Sequence, residues 1–115
     1  MTETNSVVQK IRREKDMVVL ELSGDIDLHR SVDLRSSLLE TLGEQPAVTV
    51  INMREVGFMD SSGLATLVEA MQLSRRYGGQ LKLVGISRRV RSIFEISRLD
   101  KIFQIYDNEA EALSG

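Results

Sequence analysis

This chain of 115 residues lacks several of the residue types and patterns that mark particular protein classes. It contains no cysteine, which excludes disulfides and thiolate metal sites and suits a reducing compartment. No apolar run approaches the ~20 residues that span a bilayer, and the N-terminus lacks the apolar core of a signal peptide. Aromatic residues make up 4% of the chain, so no platform for stacking nucleic-acid bases is visible. We expect a soluble, cytoplasmic protein that binds neither nucleic acid nor membrane.

Charge is nearly balanced, and the formal net charge of −2 provides no global attraction to nucleic acid or to an anionic membrane. Basic residues are nevertheless concentrated on two predicted helices: Arg75 and Arg76 on one, and Arg88, Arg89, Arg91 and Arg98 on or beside the other. The simplest interpretation is a solvated helix face. A contact patch for an acidic protein partner comes second, and nucleic acid third.

The order of sequence patterns predicts one α/β domain. A length of 115 residues is typical of a single domain, here 1–115 with its core at about 7–113, that buries about two thirds of its unfolded surface. Apolar runs, alternating or continuous, predict strands, and apolar residues at helical spacing predict the helices between them. The predicted strands are 7–13, 17–23, 47–53, 81–86 and 102–106.

The first two predicted strands form a hairpin across a polar turn at 14–16 and supply an antiparallel edge. From the third strand onward, strands and helices alternate with connections too long for hairpins, which indicates parallel strands with right-handed crossovers. We therefore expect a mixed, mostly parallel sheet with helices packed against it. The first helix begins near His29 and is predicted to turn four apolar residues inward: Val32, Leu38, Leu39 and Leu42.

The segment 56–64 is the most distinctive part of the chain, because it places two hydroxyls and a carboxylate between a buried strand and an amphipathic helix. Asp60 is a favoured N-cap, since its carboxylate accepts hydrogen bonds from the first free backbone N–H groups of a helix. Ser61 and Ser62 then lie at the helix N-terminus, where those N–H groups and the helix dipole favour an anion. Two interpretations of these residues are therefore open. They can form a capping motif with no further role, or they can form a functional site.

Phe58 and Met59 precede the cap, and capping does not explain both of them, although Met59 is suited to a hydrophobic staple on the first helical turn. Loops at the C-terminal ends of parallel strands gather at one edge of a sheet, where ligands usually bind. Asp27, Ser61 and Ser87 each follow a predicted strand. We therefore expect these three residues to share one rim of the domain.

Support for catalysis is weak. His29 is the single histidine, and a Ser-His-Asp mechanism requires it to reach Ser61 and to be oriented by an acid. Asp25 and Asp27 are more typical of a solvated or capping turn than of a metal site. The sequence has no nucleophile elbow, no nucleotide-binding glycine loop and no Cys/His metal spacing. We expect a protein that is not an enzyme and needs no cofactor.

At 58–64 the sequence Phe-Met-Asp-Ser-Ser-Gly-Leu resembles the phosphorylation motif of bacterial anti-sigma-factor antagonists, which are STAS-domain proteins. Residues 22–27 resemble the family's Leu-x-Gly-x-hydrophobic-Asp turn, and 78–84 resemble its Gly-Gly-x-Leu strand entry. Residues 90–102 are similar to its later helix and turn. The resemblance extends over nearly the whole chain, and the serine motif is fairly specific for the antagonist branch.

The resemblance implies a partner-switching protein. In this family the unphosphorylated antagonist binds an anti-sigma factor that is also a serine kinase, and the sigma factor is released. The kinase uses Mg-ATP to phosphorylate the serine after the motif aspartate, here Ser61, and a phosphoserine phosphatase reverses the reaction. ATP therefore belongs to the kinase. The resemblance also implies partner contacts at Asp27, Phe58, Met59, Asp60, Ser62, Gly63 and Leu64.

Two other interpretations remain open. One is a STAS docking subunit of another assembly, such as a lipid-transporter ATPase complex or a stress-signalling scaffold, which needs no phosphorylation. The other is a small hydrolase that uses Ser61, and the missing general base disfavours it. Neighbouring genes distinguish the first from an antagonist, and an active-site serine probe tests the second.

Overall fold

The computed structural model of this chain describes residues 6–114, so the predicted domain limits at 1 and 115 lie outside the described residues. The strands are β1 (Val8–Glu14), β2 (Met17–Ser23), β3 (Val48–Glu55), β4 (Gln80–Val84) and β5 (Gln104–Tyr106). The helices are α1 (Leu28–Leu42), α2 (Ser61–Arg76), α3 (Arg88–Ile96) and α4 (Glu109–Ser114). The strands form one sheet in the order β1-β2-β3-β4-β5, in which β1 is antiparallel to β2 and the other neighbours are parallel. The predicted α/β fold with an antiparallel N-terminal hairpin is confirmed.

Helices α1, α2 and α3 pack on the same face of the sheet. Each parallel crossover adds the next strand on the same side of its predecessor, and a right-handed crossover then places every helix on one face. The main core takes side chains from these helices and from the strands beneath them, including Leu34, Leu67, Phe94, Leu20 and Ile51. A smaller core on the opposite face consists of Ala112 of α4 with Val19, Val50 and Val84. Because β3 is covered on both faces, five consecutive residues of this strand, 49–53, are buried.

A hydrogen-bonded network holds α4 on the second face of the sheet. The Glu109 carboxylate accepts hydrogen bonds from Arg12 Nη2 at 2.5 Å and from Asn52 Nδ2 at 2.7 Å. Burial raises the pKa of Glu109, but these two hydrogen bonds and the positive charge of Arg12 outweigh burial and hold the pKa below its ordinary value. The Lys82 ammonium donates to the Ala112 carbonyl at 2.7 Å, so both ends of α4 are tied to the sheet.

The predicted inward face of α1 is wrong at one position. Val32 is 66% exposed, whereas Leu34, which was not predicted to face inward, is fully buried. The reason is helical spacing: at ~100° per residue, Leu34 and Leu42 each lie four residues from Leu38 and share its face, whereas Val32 lies six residues from Leu38 and does not. The buried positions of α1 are Ser31, Leu34, Leu38, Thr41 and Leu42. Val32 therefore lies on the outer face, and Leu39 is half-buried.

Two predicted strands are shorter in the structure than in the sequence-based prediction. The strand predicted at 81–86 ends at Val84 because Gly85 takes a left-handed conformation with φ of +71°. The strand predicted at 102–106 begins at Gln104, since the backbone N–H groups of Ile102 and Phe103 both donate to the Leu99 carbonyl and form a turn.

The predicted caps of the last two helices are present. Ser87 Oγ accepts a hydrogen bond from the Val90 N–H at 3.2 Å, and Asn108 Oδ1 accepts one from the Glu111 N–H at 2.9 Å. The Glu111 carboxylate accepts in turn from the Asp107 N–H at 3.3 Å, one residue before the position of a standard capping box. Within residues 6–114, no helix is both long enough and apolar enough to cross a membrane.

We predict that Leu67→Ala lowers the free energy of unfolding by ~2–5 kcal/mol, because Leu67 is fully buried in the main core and alanine leaves a cavity. Val32→Ala is the matched control on the exposed side of α1 and should change the free energy by less than ~0.5 kcal/mol. Urea denaturation followed by circular dichroism measures both values. Equal, small effects of the two substitutions would contradict the assignment of the core face.

Candidate functional site

The loops that follow β2 and β3 are joined by backbone hydrogen bonds at the C-terminal edge of the sheet. The Ile26 N–H donates to the Phe58 carbonyl at 2.9 Å, and the Asp60 N–H donates to the Ile26 carbonyl at 3.1 Å. Ile26 and Met59 thus form an isolated parallel bridge that continues the β2–β3 pairing beyond the strand ends. Because Asp27 and Asp60 follow these bridged residues directly, the first turns of α1 and α2 begin side by side.

Asp60 is the N-cap of α2, as predicted. Its Oδ1 accepts hydrogen bonds from the Ser62 N–H at 2.9 Å and from the Gly63 N–H at 3.3 Å. Ser61 is the first residue of the helix and is exposed, whereas Ser62 is half-buried. The carboxylate therefore occupies the two backbone donors nearest to it, and the Ser61 side chain lies at the surface.

Asp27 has the same role in α1. Its Oδ1 accepts a hydrogen bond from the Arg30 N–H at 2.9 Å, and this hydrogen bond lowers the pKa of Asp27 below its ordinary value. Asp27 is exposed and ionised at neutral pH. Two capping aspartates thus place negative charge at the rim on which Ser61 lies.

Arg30 holds the loop between β2 and α1 in place, a role that the sequence analysis did not predict. Its guanidinium donates to the Asp25 carbonyl at 2.7 Å and to the Ser23 carbonyl at 3.2 Å. Gly24 leaves space for this group, because a Cβ atom there would lie 2.3 Å from Arg30 Nη1 and the backbone has φ of +89°. No spacing rule identifies an arginine that folds back onto the preceding loop, although the glycine turn itself is visible in the sequence.

Gly63 allows the two loops to approach α2. A Cβ atom at this position would lie 2.7 Å from Met59 Cγ and 2.9 Å from Ile26 Cγ2. Both of these side chains are buried in the main core. Met59 thus packs against the first turn of α2, as expected for a hydrophobic staple.

The predicted partner-contact residues fall into two groups. Asp27 and Phe58 are exposed and Asp60 and Ser62 are half-buried, so this group lies at the surface around Ser61. Met59, Gly63 and Leu64 are buried, so in this conformation they support the surface from below. Met59 and Gly63 are buried where the paired loops meet α2, and Leu64 belongs to the main core, so a partner contact of these three residues also stays a prediction. The surface contacts of the first group stay predictions.

Two other candidates from the sequence, His29 and Ser87, lie at the starts of α1 and α3. His29 is exposed, as expected, and Ser87 is the N-cap of α3. Among the residues that the structure describes, no three His, Cys, Asp or Glu side chains are grouped so as to hold a metal ion. Ser61, with the two capping aspartates and Phe58, is therefore the candidate functional site.

Comparison with known proteins identifies relatives of the whole domain. The family model described as STAS domain matches residues 9–112. The chain is similar to the anti-sigma-B factor antagonist of Bacillus subtilis (strain 168), with 32% identity over 95 residues that make up 83% of this chain and 86% of the relative.

Solved structures with the same fold include a putative anti-sigma factor antagonist from Thermotoga maritima, with a TM-score of 0.86 and 21% identity over 91% of each chain. The Bacillus cell fate determinant SpoIIAA in its phosphorylated form has a TM-score of 0.71 and 23% identity, over 91% of this chain and 96% of that chain. These likenesses show the fold.

We predict that Gly63→Ala destabilises the protein, although alanine is the better helix former by ~1 kcal/mol. The added methyl group overlaps buried atoms of Met59 and Ile26, and overpacking of a core typically costs ~1–3 kcal/mol. Ser62→Ala is the control in the same helical turn, because it adds no atoms. Thermal unfolding should show a lower midpoint for Gly63→Ala alone, and an unchanged midpoint would mean that the loops do not constrain this position.

Proposed function

Because this chain belongs to the STAS domain family, whose members include anti-sigma factor antagonists, we propose that it binds an anti-sigma factor and thereby frees a sigma factor. We further propose that phosphorylation of Ser61 switches this binding off. The observation that carries the proposal is the exposed hydroxyl of Ser61 at the start of α2, beside the paired loops that end in Asp27 and Asp60. The name of the phosphorylated SpoIIAA structure supports the same type of control.

A phosphoryl group on Ser61 is compatible with the fold. It adds about −1.5 to −2 charge at neutral pH. The first turn of α2 contains no acidic residue, and the positive end of the helix dipole tolerates the new charge. Asp60 already occupies the N–H groups of Ser62 and Gly63, so the phosphoryl group remains at the surface instead of rearranging the cap.

The same charge is unfavourable in an interface. A partner surface that is complementary to the Ser61 hydroxyl has to desolvate the phosphoryl group next to the carboxylates of Asp60 and Asp27. A loss of ~3 kcal/mol, of the order observed for unpaired interface charges, weakens binding more than a hundredfold. Phosphorylation then acts by obstructing the contact surface, without a change of fold.

The proposed partners follow from this switch. The anti-sigma factor is also the serine kinase, with Mg-ATP bound to the kinase, and a phosphoserine phosphatase restores the hydroxyl. This chain acts as a binding protein in the cytoplasm, without a cofactor of its own. Phe58, Asp27, Asp60 and Ser62 are the proposed surface contacts around Ser61, and 1–115 is the proposed extent of the single domain.

We predict that one serine-kinase anti-sigma factor from the source genome, supplied with Mg-ATP, adds a single phosphoryl group to Ser61. Ser61→Ala should abolish labelling and keep partner binding, because it adds no charge and leaves the Asp60 cap intact. Ser36→Ala, which changes an exposed serine of α1, should be labelled as wild type. Intact-mass and peptide mass spectrometry identify the modified residue.

The switch itself is tested by partner affinity. Phosphorylated protein should bind about a hundredfold more weakly than the unmodified protein, and Ser61→Asp should be weakened to a smaller extent with an unchanged unfolding midpoint. Wild-type affinity of both forms would disprove the switch and favour the docking-subunit interpretation. Labelling at Ser62 would move the site by one residue and leave the mechanism intact.

We also predict that Arg88 and Arg89, both exposed at the start of α3, do not bind nucleic acid. Binding through phosphate contacts weakens steeply with salt. Fluorescence anisotropy with labelled DNA and RNA should show no salt-sensitive affinity near physiological ionic strength. Micromolar binding that disappears in the double variant Arg88→Ala/Arg89→Ala would contradict the proposed partner class.

A further inference from the structure

A shallow groove of about 440 Å³ runs along the outer side of α2, starting at Ser61. We call it the α2 groove; its lining consists of Ser61, Leu64, Ala65, Val68, Glu69, Gln72 and Leu99. The α2 residues among these recur at helical spacing, so they form one stripe along the helix. Leu99, in the turn after α3, forms the opposite wall.

The lining presents an apolar surface. Ala65 is exposed, Val68 and Leu99 are half-buried, and Leu64 lies at the bottom. Glu69 is the acidic member of the lining, and its carboxylate accepts two hydrogen bonds from Arg35, at 2.7 and 2.9 Å. The hydrogen bonds from Arg35 lower the pKa of Glu69. Because the two opposite charges are paired, Glu69 adds little net charge to the lining. The middle of the α2 groove therefore favours apolar side chains.

The end of the groove away from Ser61 is basic. Arg75 follows Gln72 by three residues on the same stripe, and its guanidinium lies 3.4 Å from the Ile102 carbonyl oxygen. Arg98 and Lys101 lie one residue before and two residues after Leu99 in the chain, and all three cations are exposed. Across residues 6–114, none of the three forms an ion pair. Asp100 lies between Arg98 and Lys101 and carries one negative charge. Together with Arg75, these four residues have a net charge of +2.

We propose that the α2 groove binds an amphipathic segment of the anti-sigma factor, with apolar side chains along the floor and acidic residues at Arg75, Arg98 and Lys101. This inference rests on the proposed function. The path from Ser61 to Arg75 is ~21 Å at the helical rise of ~1.5 Å per residue, which accommodates about four turns of a partner helix. An apolar floor and unpaired cations at one end together specify the polarity of the bound segment.

The position of Ser61 in this lining connects the groove to the switch. A phosphoryl group there stands at the entrance of the groove, where it narrows the apolar path and places a charge against apolar side chains of the segment. The cost of desolvating this charge in the groove adds to the cost at the rim. Modification of one side chain then weakens partner binding both at the rim around Ser61 and in the α2 groove.

The test measures affinity for the anti-sigma factor that labels Ser61, by isothermal titration calorimetry. Ala65→Trp fills the groove from an exposed position, and Arg75→Glu reverses the charge at its basic end. Each should weaken binding at least tenfold. Lys15→Glu, at the exposed β1–β2 turn, is the charge-matched control and should bind within twofold of wild type. Raising the salt concentration should weaken the wild type more than Arg75→Glu.

The possible outcomes distinguish a failure of the groove proposal from a failure of the proposed switch. If wild type binds and is labelled, but Ala65→Trp and Arg75→Glu both bind as wild type, the groove proposal is overturned and the proposed function stands. If wild type neither binds nor is labelled by any kinase of the genome, both proposals fail. A concentration-dependent dimer that Ala65→Trp abolishes would assign the groove to a second copy of this chain and overturn the proposal. Circular dichroism checks that each variant is folded, and Arg75→Glu gives an answer even where tryptophan at 65 is not tolerated.

Discussion

The backbone pairing between Ile26 and Met59 is the contact on which the rest of the site depends. It extends the β2–β3 register past the strand ends, so that α1 and α2 start next to each other. The pairing requires close approach to α2, and the missing side chain of Gly63 provides the space. Arg30 fixes the first loop from the other side through backbone carbonyls. A surface residue such as Ser61 is thereby held on a rigid support.

In the proposed switch, the two capping aspartates contribute to helix stability and to the charge around Ser61. Asp27 and Asp60 accept hydrogen bonds from free N–H groups at the starts of their helices and stabilise them, and they also place negative charge at the rim on which Ser61 lies. Because the caps already use the nearest backbone donors, a new phosphoryl group has no intramolecular role to take over. Its charge is then available to act on a partner, which is the property that a reversible switch requires.

Helix α2 contributes to the core with one face and to the proposed contact surface with the other. Leu67 and Met71 lie in the main core, whereas Ala65 and Gln72 line the α2 groove on the outside. Ser61 stands where the charged rim and the apolar groove meet. In the proposed switch, a partner that contacts both surfaces covers Ser61, and the core beneath does not need to change.

The sequence by itself determined the order of strands and helices, the Asp60 cap and the exposed serine, since these follow from local periodicity and capping. It also indicated that Asp27 and Ser61 share an edge, because the ends of parallel strands do. Only the tertiary structure decided that Val32 faces outward, that Met59, Gly63 and Leu64 lie beneath the surface, and that Arg30 closes the loop. It likewise placed Leu99 against α2. These features depend on how the helices and loops pack against one another, which a local sequence pattern does not specify.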